Sequence, residues 1–129
     1  MAEKFRTGYW IVSDAITEAD TNTTKAVLQI PAKTMVTKVI LVVTEVFAGG
    51  TPSIDVGDGT DVDGWIDTTD VTETTAGAYA GDGGDAVWAF GGKYYSAADT
   101  IDAVVSASLS DGTAYVLAHV IPLTNGEVG

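Results

Sequence analysis

The residues of this sequence best suited to chemistry are the carboxylates of one glycine-rich stretch, Asp55-Val-Gly-Asp-Gly-Thr-Asp-Val-Asp-Gly64. Carboxylate oxygens spaced along such a loop can wrap a hard cation such as calcium. An EF-hand alignment fails, because a glycine would take its first position, an aspartate would take its last, and no helices flank the stretch. An irregular calcium site formed by Asp58, Asp61 and Asp63 stays open, beside the alternative of a solvated turn without an ion.

No motif for catalysis accompanies these carboxylates. His119 is the single histidine, so a Ser-His-Asp arrangement would have to use it. It falls inside the last predicted strand, and the sequence has no Gly-x-Ser-x-Gly turn. Gly81-Asp-Gly-Gly-Asp85 is rich in glycine but acidic, so it would repel phosphate rather than bind it. We therefore interpret His119 as a residue on a sheet face and predict that the chain is not an enzyme.

Aromatic and basic residues are concentrated at the N-terminus. Lys4, Phe5, Arg6, Tyr9 and Trp10 lie within ten positions of a chain that has only six basic residues. Such a segment on an acidic body would bind an acidic partner surface, and we predict these five residues as partner-binding anchors. The alternative is an ordinary edge strand.

The remaining tryptophans suggest a second kind of surface. Trp65 lies in the acidic stretch, and an exposed tryptophan there would suit a carbohydrate platform. Trp88 and Phe90 are instead predicted to pack in or around the core.

Charge and composition exclude several classes of function. The chain has 129 residues, 18 acidic and 6 basic, with a formal charge of −12. This balance opposes binding to nucleic acid or to an anionic membrane surface. The longest apolar run, Val39 to Val43, is too short to cross a bilayer, and the N-terminus lacks the apolar stretch of a signal peptide. We expect synthesis in the cytosol and, since cysteine is absent, a core held without disulfides.

The elements that must position these residues are strands. Val, Thr, Ile, Tyr and Trp fill the ordered segments, and Gly, Asp, Asn and Pro interrupt them at short intervals. We predict an all-β fold, a single-domain, jelly-roll-like β-sandwich of about eight or nine strands. The expected boundaries are an arm or edge strand over 1–12, the sandwich over 13–123 and a frayed tail over 124–129. The candidate strands cover 5–13, 25–31, 35–47, 51–57, 62–67, 84–90, 92–96, 99–109 and 113–122.

Three local predictions can be compared directly with a structure. Residues 99–109 alternate in polarity, and a short glycine-containing loop joins them to residues 113–122, which predicts a C-terminal hairpin. In 113–122 one face consists of Ala114, Val116, Ala118 and Val120, and the other of Tyr115, Leu117, His119 and Ile121. Segment 35–47 is apolar on both faces, which predicts a central strand. Residues 14–24 and 68–85 are predicted as loops.

At family level, the segments Ile30–Phe47, Thr51–Trp65, Gly92–Tyr95 and the closing strands through Pro122 resemble small head-associated proteins of tailed bacteriophages. The similarity covers roughly residues 25–122 and consists of strand and turn patterning without a catalytic motif. The family it indicates is that of the capsid decoration, or cement, proteins.

The resemblance implies a β-sandwich that binds the outer surface of an expanded head and stabilises it. It further implies a homo-trimer at the junctions of the phage major capsid protein, with an N-terminal arm over residues 2–12. The protein would be located in the virion, with no direct nucleic-acid or membrane partner and no cofactor beyond the possible calcium. The alternatives are a tail, baseplate or fibre-base component, and a calcium-dependent or aromatic-platform carbohydrate-binding module.

Overall fold

The computed structural model describes residues 8–106 and 110–123. Within these ranges it contains nine strands and two short 3-10 helices, at Glu18–Asp20 and Thr68–Asp70. No helix of this part is long and apolar enough to cross a membrane. The strands are β1 Tyr9–Val12, β2 Ile16–Thr17, β3 Thr23–Ile30, β4 Thr34–Ala48, β5 Ser53–Gly57, β6 Gly77–Tyr79, β7 Lys93–Tyr95, β8 Asp99–Ser106 and β9 Asp111–Pro122.

The strands form two antiparallel sheets. The larger has the order β1-β9-β4-β6, with β2 paired to β9 and β7 paired to β4. The smaller has the order β3-β8-β5. The predicted all-β sandwich of eight or nine strands is therefore confirmed.

The core lies between the two sheets and follows from the period-two alternation of the strands. In β9 the buried positions are Ala114, Val116, Ala118 and Val120, and the side chains between them face outward. In β8, Ile101, Ala103 and Val105 are fully buried, whereas Asp102 is partly exposed. In β8 the polarity of the segment therefore decides which side faces the other sheet, whereas in β9 both sides carry apolar side chains and the smaller ones face inward.

The predicted C-terminal hairpin is wrong. β8 pairs with β3 and β5 in the small sheet, and β9 pairs with β4 and β1 in the large one. The two segments lie in opposite layers of the sandwich, because each has an apolar stripe that must be buried against another layer. Pairing along the whole length of β4, from Thr34 to Ala48, also satisfies more backbone groups of β9 than a hairpin with the shorter β8 would.

β4 is the central strand that its sequence predicts, with β9 on one side and β6 and β7 on the other. Its register with β9 shifts at three places, including the step between Val36 and Lys38. At its far end, Phe47 packs directly against the backbone of Gly112, where a Cβ atom would lie 2.1 Å from the ring. Gly112 has a φ of +132°, so both its conformation and its neighbour require glycine.

Two of the predicted strands are turns. Residues 62–67 form only one isolated β-bridge, between Ile66 and Val56. The chain reverses direction just before this bridge, in a turn where the backbone amides of Asp58 and Gly64 both donate to the carbonyl of Asp61. Residues 84–90 likewise form turns that end at Gly92.

Both predicted loops, in contrast, contain short strands. β2 lies in segment 14–24 and contributes the fully buried Ile16, while β6 lies in segment 68–85 and pairs with β4. The predicted tail over 124–129 lies outside the described residues.

Candidate partner-binding surface

Two of the five predicted anchors lie on an edge of the large sheet. Tyr9 and Trp10 belong to β1, the edge strand next to β9, and their side chains are 47% and 48% exposed. Lys4, Phe5 and Arg6 lie outside the described residues. The two aromatic anchors are thus attached to the sandwich by regular strand pairing, from Tyr9 opposite Val120 to Val12 opposite Leu117.

Trp10 is held against the single histidine. Its ring centroid lies 5.2 Å from that of His119, at an interplanar angle of 57°. The hydroxyl of Thr37 lies 2.7 Å from Nδ1 of His119. Gly8 completes the arrangement, since a Cβ there would lie 2.5 Å from the histidine ring. These contacts are those of a sheet-face histidine, and its ring packs against the half-exposed Trp10.

Trp10 belongs to a larger apolar surface, which we call the outer face. It consists of the outward residues of β1, β9, β4, β7 and β6, which the register aligns in four rows. Lys38 is the only lysine in these rows, and they contain no aspartate or glutamate. An acidic side chain, Glu45, first appears in the next row, opposite Thr113. The rows are Tyr94, Met35 and Ile121; Lys38, His119 and Trp10; Ile40, Leu117 and Val12; and Ala78, Val42 and Tyr115.

The small sheet presents the opposite chemistry to solvent. Its outward positions include Asp55 on β5 and Asp102 on β8, each between buried neighbours. Burial raises the pKa of Asp102, although the Thr100 hydroxyl, 2.7 Å away, partly offsets this. The two exposed sides of the sandwich therefore differ, one being apolar and the other polar and acidic.

Of the three predicted calcium ligands, Asp58 is occupied by interactions within the protein. Its side chain is fully buried and accepts hydrogen bonds from Lys93 Nζ at 2.7 Å and from the Tyr95 hydroxyl at 2.9 Å. The backbone amides of Thr60 and Asp61 bind its other oxygen. Burial by itself would raise the pKa of Asp58, but Lys93 and the other donors outweigh it and hold that pKa below its usual value.

Aromatic rings surround this ion pair. Lys93 Nζ lies 4.0 Å from the centre of the Trp88 ring and 4.8 Å from that of Tyr95. The Trp65 indole donates to the Tyr95 hydroxyl at 3.2 Å and packs against Trp88 at 5.6 Å. Sequence reasoning missed Lys93 and Tyr95. The sequence Lys93-Tyr-Tyr95 could have indicated them, because residues two apart in a strand lie on the same side and Lys93 and Tyr95 therefore share one face.

The predicted roles of the tryptophans and Phe90 need correction. Trp65 is only 1% exposed, so it is a core residue and does not form a carbohydrate platform. Trp88 is partly buried against the core, as predicted. Phe90 is 80% exposed, contrary to its predicted packing role, because its turn carries the ring over Gly83 at the surface.

Asp63 belongs to a different carboxylate group from the predicted one. Carboxylate oxygens of Asp55, Asp63 and Asp67 lie within 4.8 Å of one another, an arrangement that could hold a metal ion. Contact with Asp61, burial and the charge of Asp67 together raise the pKa of Asp63 to about 6. Asp67 shows the opposite shift, since the Thr69 hydroxyl and amide lower its pKa. Calcium binding by Asp58, Asp61 and Asp63 stays a prediction.

The crowding around Asp63 predicts that Asp63→Asn stabilises the fold at neutral pH. A carboxyl whose pKa is raised in the folded state destabilises that state when ionised, and the destabilisation fades as pH falls through about 6. Because Asp63 is partly exposed, solvent screening limits the gain to about 1 kcal/mol or less at pH 7. Denaturant unfolding at pH 7 and pH 5 should show the gain shrinking at the lower pH. An equal gain at both values would contradict this, and the exposed Asp85→Asn serves as the control.

Known proteins provide a comparison for this fold. No protein-family model and no curated protein matches the sequence. Among solved structures, the chain is similar to one in the acidic stable capsid structure of Helicobacter pylori bacteriophage KHP30, with a TM-score of 0.66 and 16% identity over 94% of this chain and 92% of that one.

Two further capsid structures contain similar chains. The chain from the capsid asymmetric unit of cyanophage Pam1 gives a TM-score of 0.61 and 15% identity over 95% of this chain and 91% of that one. The chain from the capsid of Ralstonia phage GP4 gives a TM-score of 0.64 and 14% identity over 94% of this chain and 86% of that one. At these identities the likeness shows a shared fold. At the level of fold it confirms the resemblance to phage capsid-associated proteins.

Proposed function

We propose that this chain is a structural component of a phage virion that binds the outer surface of the head and stabilises it. The observation that carries the proposal is the fold, which the chain shares over at least 94% of its length with chains of three phage capsid structures. The proposed partner is the phage major capsid protein.

The N-terminal edge of the sandwich supports this role. Trp10 is half exposed yet held by His119, so its burial against a partner would cost little side-chain entropy. Tryptophan is among the residues most often responsible for binding energy at interfaces. Lys4, Phe5 and Arg6 precede this strand directly in the chain and would extend the contact.

The interior suits a protein that must resist mechanical load. The two sheets enclose a continuous apolar core, and a buried ion pair between Lys93 and Asp58 ties β7 to the loop after β5. A homo-trimer at a junction of capsid subunits would bind through several copies of one modest contact, and the resulting avidity would exceed the affinity of each.

The proposal predicts that deletion of residues 2–7 weakens binding to heads about tenfold or more, because it removes three of the five anchors. The strand pairing of the sandwich begins at Tyr9, so the truncated chain should remain folded. The measurement is cosedimentation of purified chain with heads of its phage assembled without it. A matched control removes six residues from the other terminus, 124–129. Unchanged binding by the N-terminal deletion would refute the role of the anchors.

Imaging of virions distinguishes the proposal from its alternatives. A head protein should occupy many icosahedrally related positions on the outer shell, whereas a tail or baseplate component should be present in few copies at one vertex. Absence of the chain from the virion would overturn the proposed function.

A further inference from the structure

Charge is distributed unevenly over this molecule. Four lysines lie in the described residues, and two of them are in ion pairs, Lys25 with Asp20 at 3.2 Å and Lys93 with Asp58 at 2.7 Å. Lys33 and Lys38 have no ion-pair partner within the described part of the chain. Both belong to one end of the large sheet, since Lys38 lies in the row of Trp10 and Lys33 directly precedes β4.

In the sequence, two further basic residues precede the strand that carries Trp10. Lys4 and Arg6 precede Gly8 by a few residues, and Gly8 lies against His119 and Ile121. Of the six basic residues of a chain with charge −12, Lys38 lies in the outer face and Lys33 directly precedes the first residue of β4. The eighteen acidic residues include none of the side chains in the four rows of the outer face.

The apolar side chains of the outer face are incompletely covered. Val12 and Trp10 on β1 and Tyr94 on β7 are each about half exposed, and Met35, Ile40 and Leu117 between them are partly exposed. Desolvating such side chains is favourable, whereas desolvating the carboxylates of the other sheet would be costly. Of the two outward sheet surfaces, this is the one that can be buried against another protein.

We infer that the outer face is the docking surface for an apolar patch, bordered by carboxylates, on the major shell protein of the head. This inference rests on the proposed function and specifies the chemistry of the partner surface. Lys38 would face a partner carboxylate, and Trp10 and Val12 would enter the apolar patch. The net negative charge of the chain does not prevent this, because at physiological salt charges more than about 8 Å apart are largely screened and the local patch dominates.

Two pairs of matched variants test the docking surface. Val12→Asp adds a charge to the outer face at a side chain 59% exposed, and Val87→Asp adds the same charge at a side chain 60% exposed in a turn elsewhere. Lys38→Glu and Lys25→Glu change the net charge equally, but Lys25 lies on β3 of the small sheet. Thermal unfolding of all four first establishes that each is folded.

Binding to heads assembled without the chain is then measured by cosedimentation. We expect Val12→Asp and Lys38→Glu to weaken binding about tenfold or more. Val87→Asp and Lys25→Glu should stay within about twofold of the unaltered chain. The defect of Lys38→Glu should shrink as salt is raised, since it arises from charge.

The other outcomes separate the two proposals. If the unaltered chain binds heads and all four variants bind equally well, the outer face is not the docking surface, although the proposed function stands. If the unaltered chain does not bind heads, the proposed function fails and this assignment fails with it. Sedimentation equilibrium of the isolated chains tests whether a second copy of this chain occupies the outer face instead. Dissociation of a self-associated form by Val12→Asp would show that the occupant is a second copy and would overturn the assignment.

Discussion

Replacing Asp58 with asparagine is expected to lower the free energy of unfolding by about 3 kcal/mol at pH 7, because one partner of a buried ion pair is lost. The side chain is fully buried and accepts four hydrogen bonds, from Lys93, Tyr95 and the amides of Thr60 and Asp61. An asparagine of the same shape would leave the Lys93 ammonium without its counter-charge. Each oxygen of Asp58 accepts two hydrogen bonds, so the NH2 group of asparagine would place a donor opposite two other donors.

The loss should depend on pH in a defined direction. A carboxyl whose pKa is lowered in the folded state stabilises the fold at pH values above its ordinary pKa of 3.8, and this stabilisation is lost as pH falls through the folded-state pKa. The difference between the unaltered chain and Asp58→Asn should therefore be constant from pH 7 to about pH 5 and should narrow below pH 4.

Urea unfolding at a series of pH values measures both effects. The matched control is Asp14→Asn, which makes the same chemical change at an exposed position beside β1. That control should alter stability by less than about 0.5 kcal/mol. A similarly small effect of Asp58→Asn would show that the ion pair contributes nothing to the fold.

Replacing Trp65 with alanine is expected to lower the free energy of unfolding by about 3–5 kcal/mol, the usual range for removing a buried tryptophan. Its side chain is 1% exposed, packs against Trp88 and donates a hydrogen bond to the Tyr95 hydroxyl. Alanine would leave a cavity beside the ion pair of Asp58. A domain of this size has about 5–15 kcal/mol of stability in total, so the variant should unfold at a much lower temperature or fail to fold.

The control for this substitution is an exposed aromatic residue of the same region, Phe90. Because Phe90 is 80% exposed, Phe90→Ala should change stability by less than about 0.5 kcal/mol. Thermal and denaturant unfolding of both variants make the comparison, with Trp65→Phe as an intermediate that retains a ring but loses the indole donor. Equal stability of Trp65→Ala and the unaltered chain would mean that the indole is not in the core.

For both residues, sequence analysis missed the partners that they have in the fold. Trp65 is buried, so its predicted role is wrong, whereas calcium binding by Asp58 stays a prediction. Asp58 was a candidate calcium ligand and Trp65 a candidate carbohydrate platform, because acidic glycine-rich loops and isolated tryptophans have those uses elsewhere. Their actual partners, Lys93 and Tyr95, lie 35 and 30 residues further along the chain. The periodicity of apolar residues and the local composition describe residues that are close in the sequence. They therefore cannot predict contacts between residues 30 or more positions apart.

The sequence was more informative about strand faces. The alternation in β8 identified its buried face correctly, and the apolar content of β4 on both faces identified it as a central strand. For β9 the sequence separated the two faces without deciding which one is buried. These properties follow from the geometry of an extended chain, in which successive side chains point to opposite sides. The sequence alone therefore determined the fold class, the inward stripe of β8 and the acidic, cysteine-free character of the chain.

Only the tertiary structure decided which strands pair. It placed β8 and β9 in different sheets, although a short glycine-containing loop suggested a hairpin, because two inward apolar stripes are best buried against each other across a core. It also brought Trp10, Lys38 and His119 into one row from three distant segments. The outer face exists only after β1, β9 and β4 have paired, since the register between the strands decides which side chains from distant segments share a row.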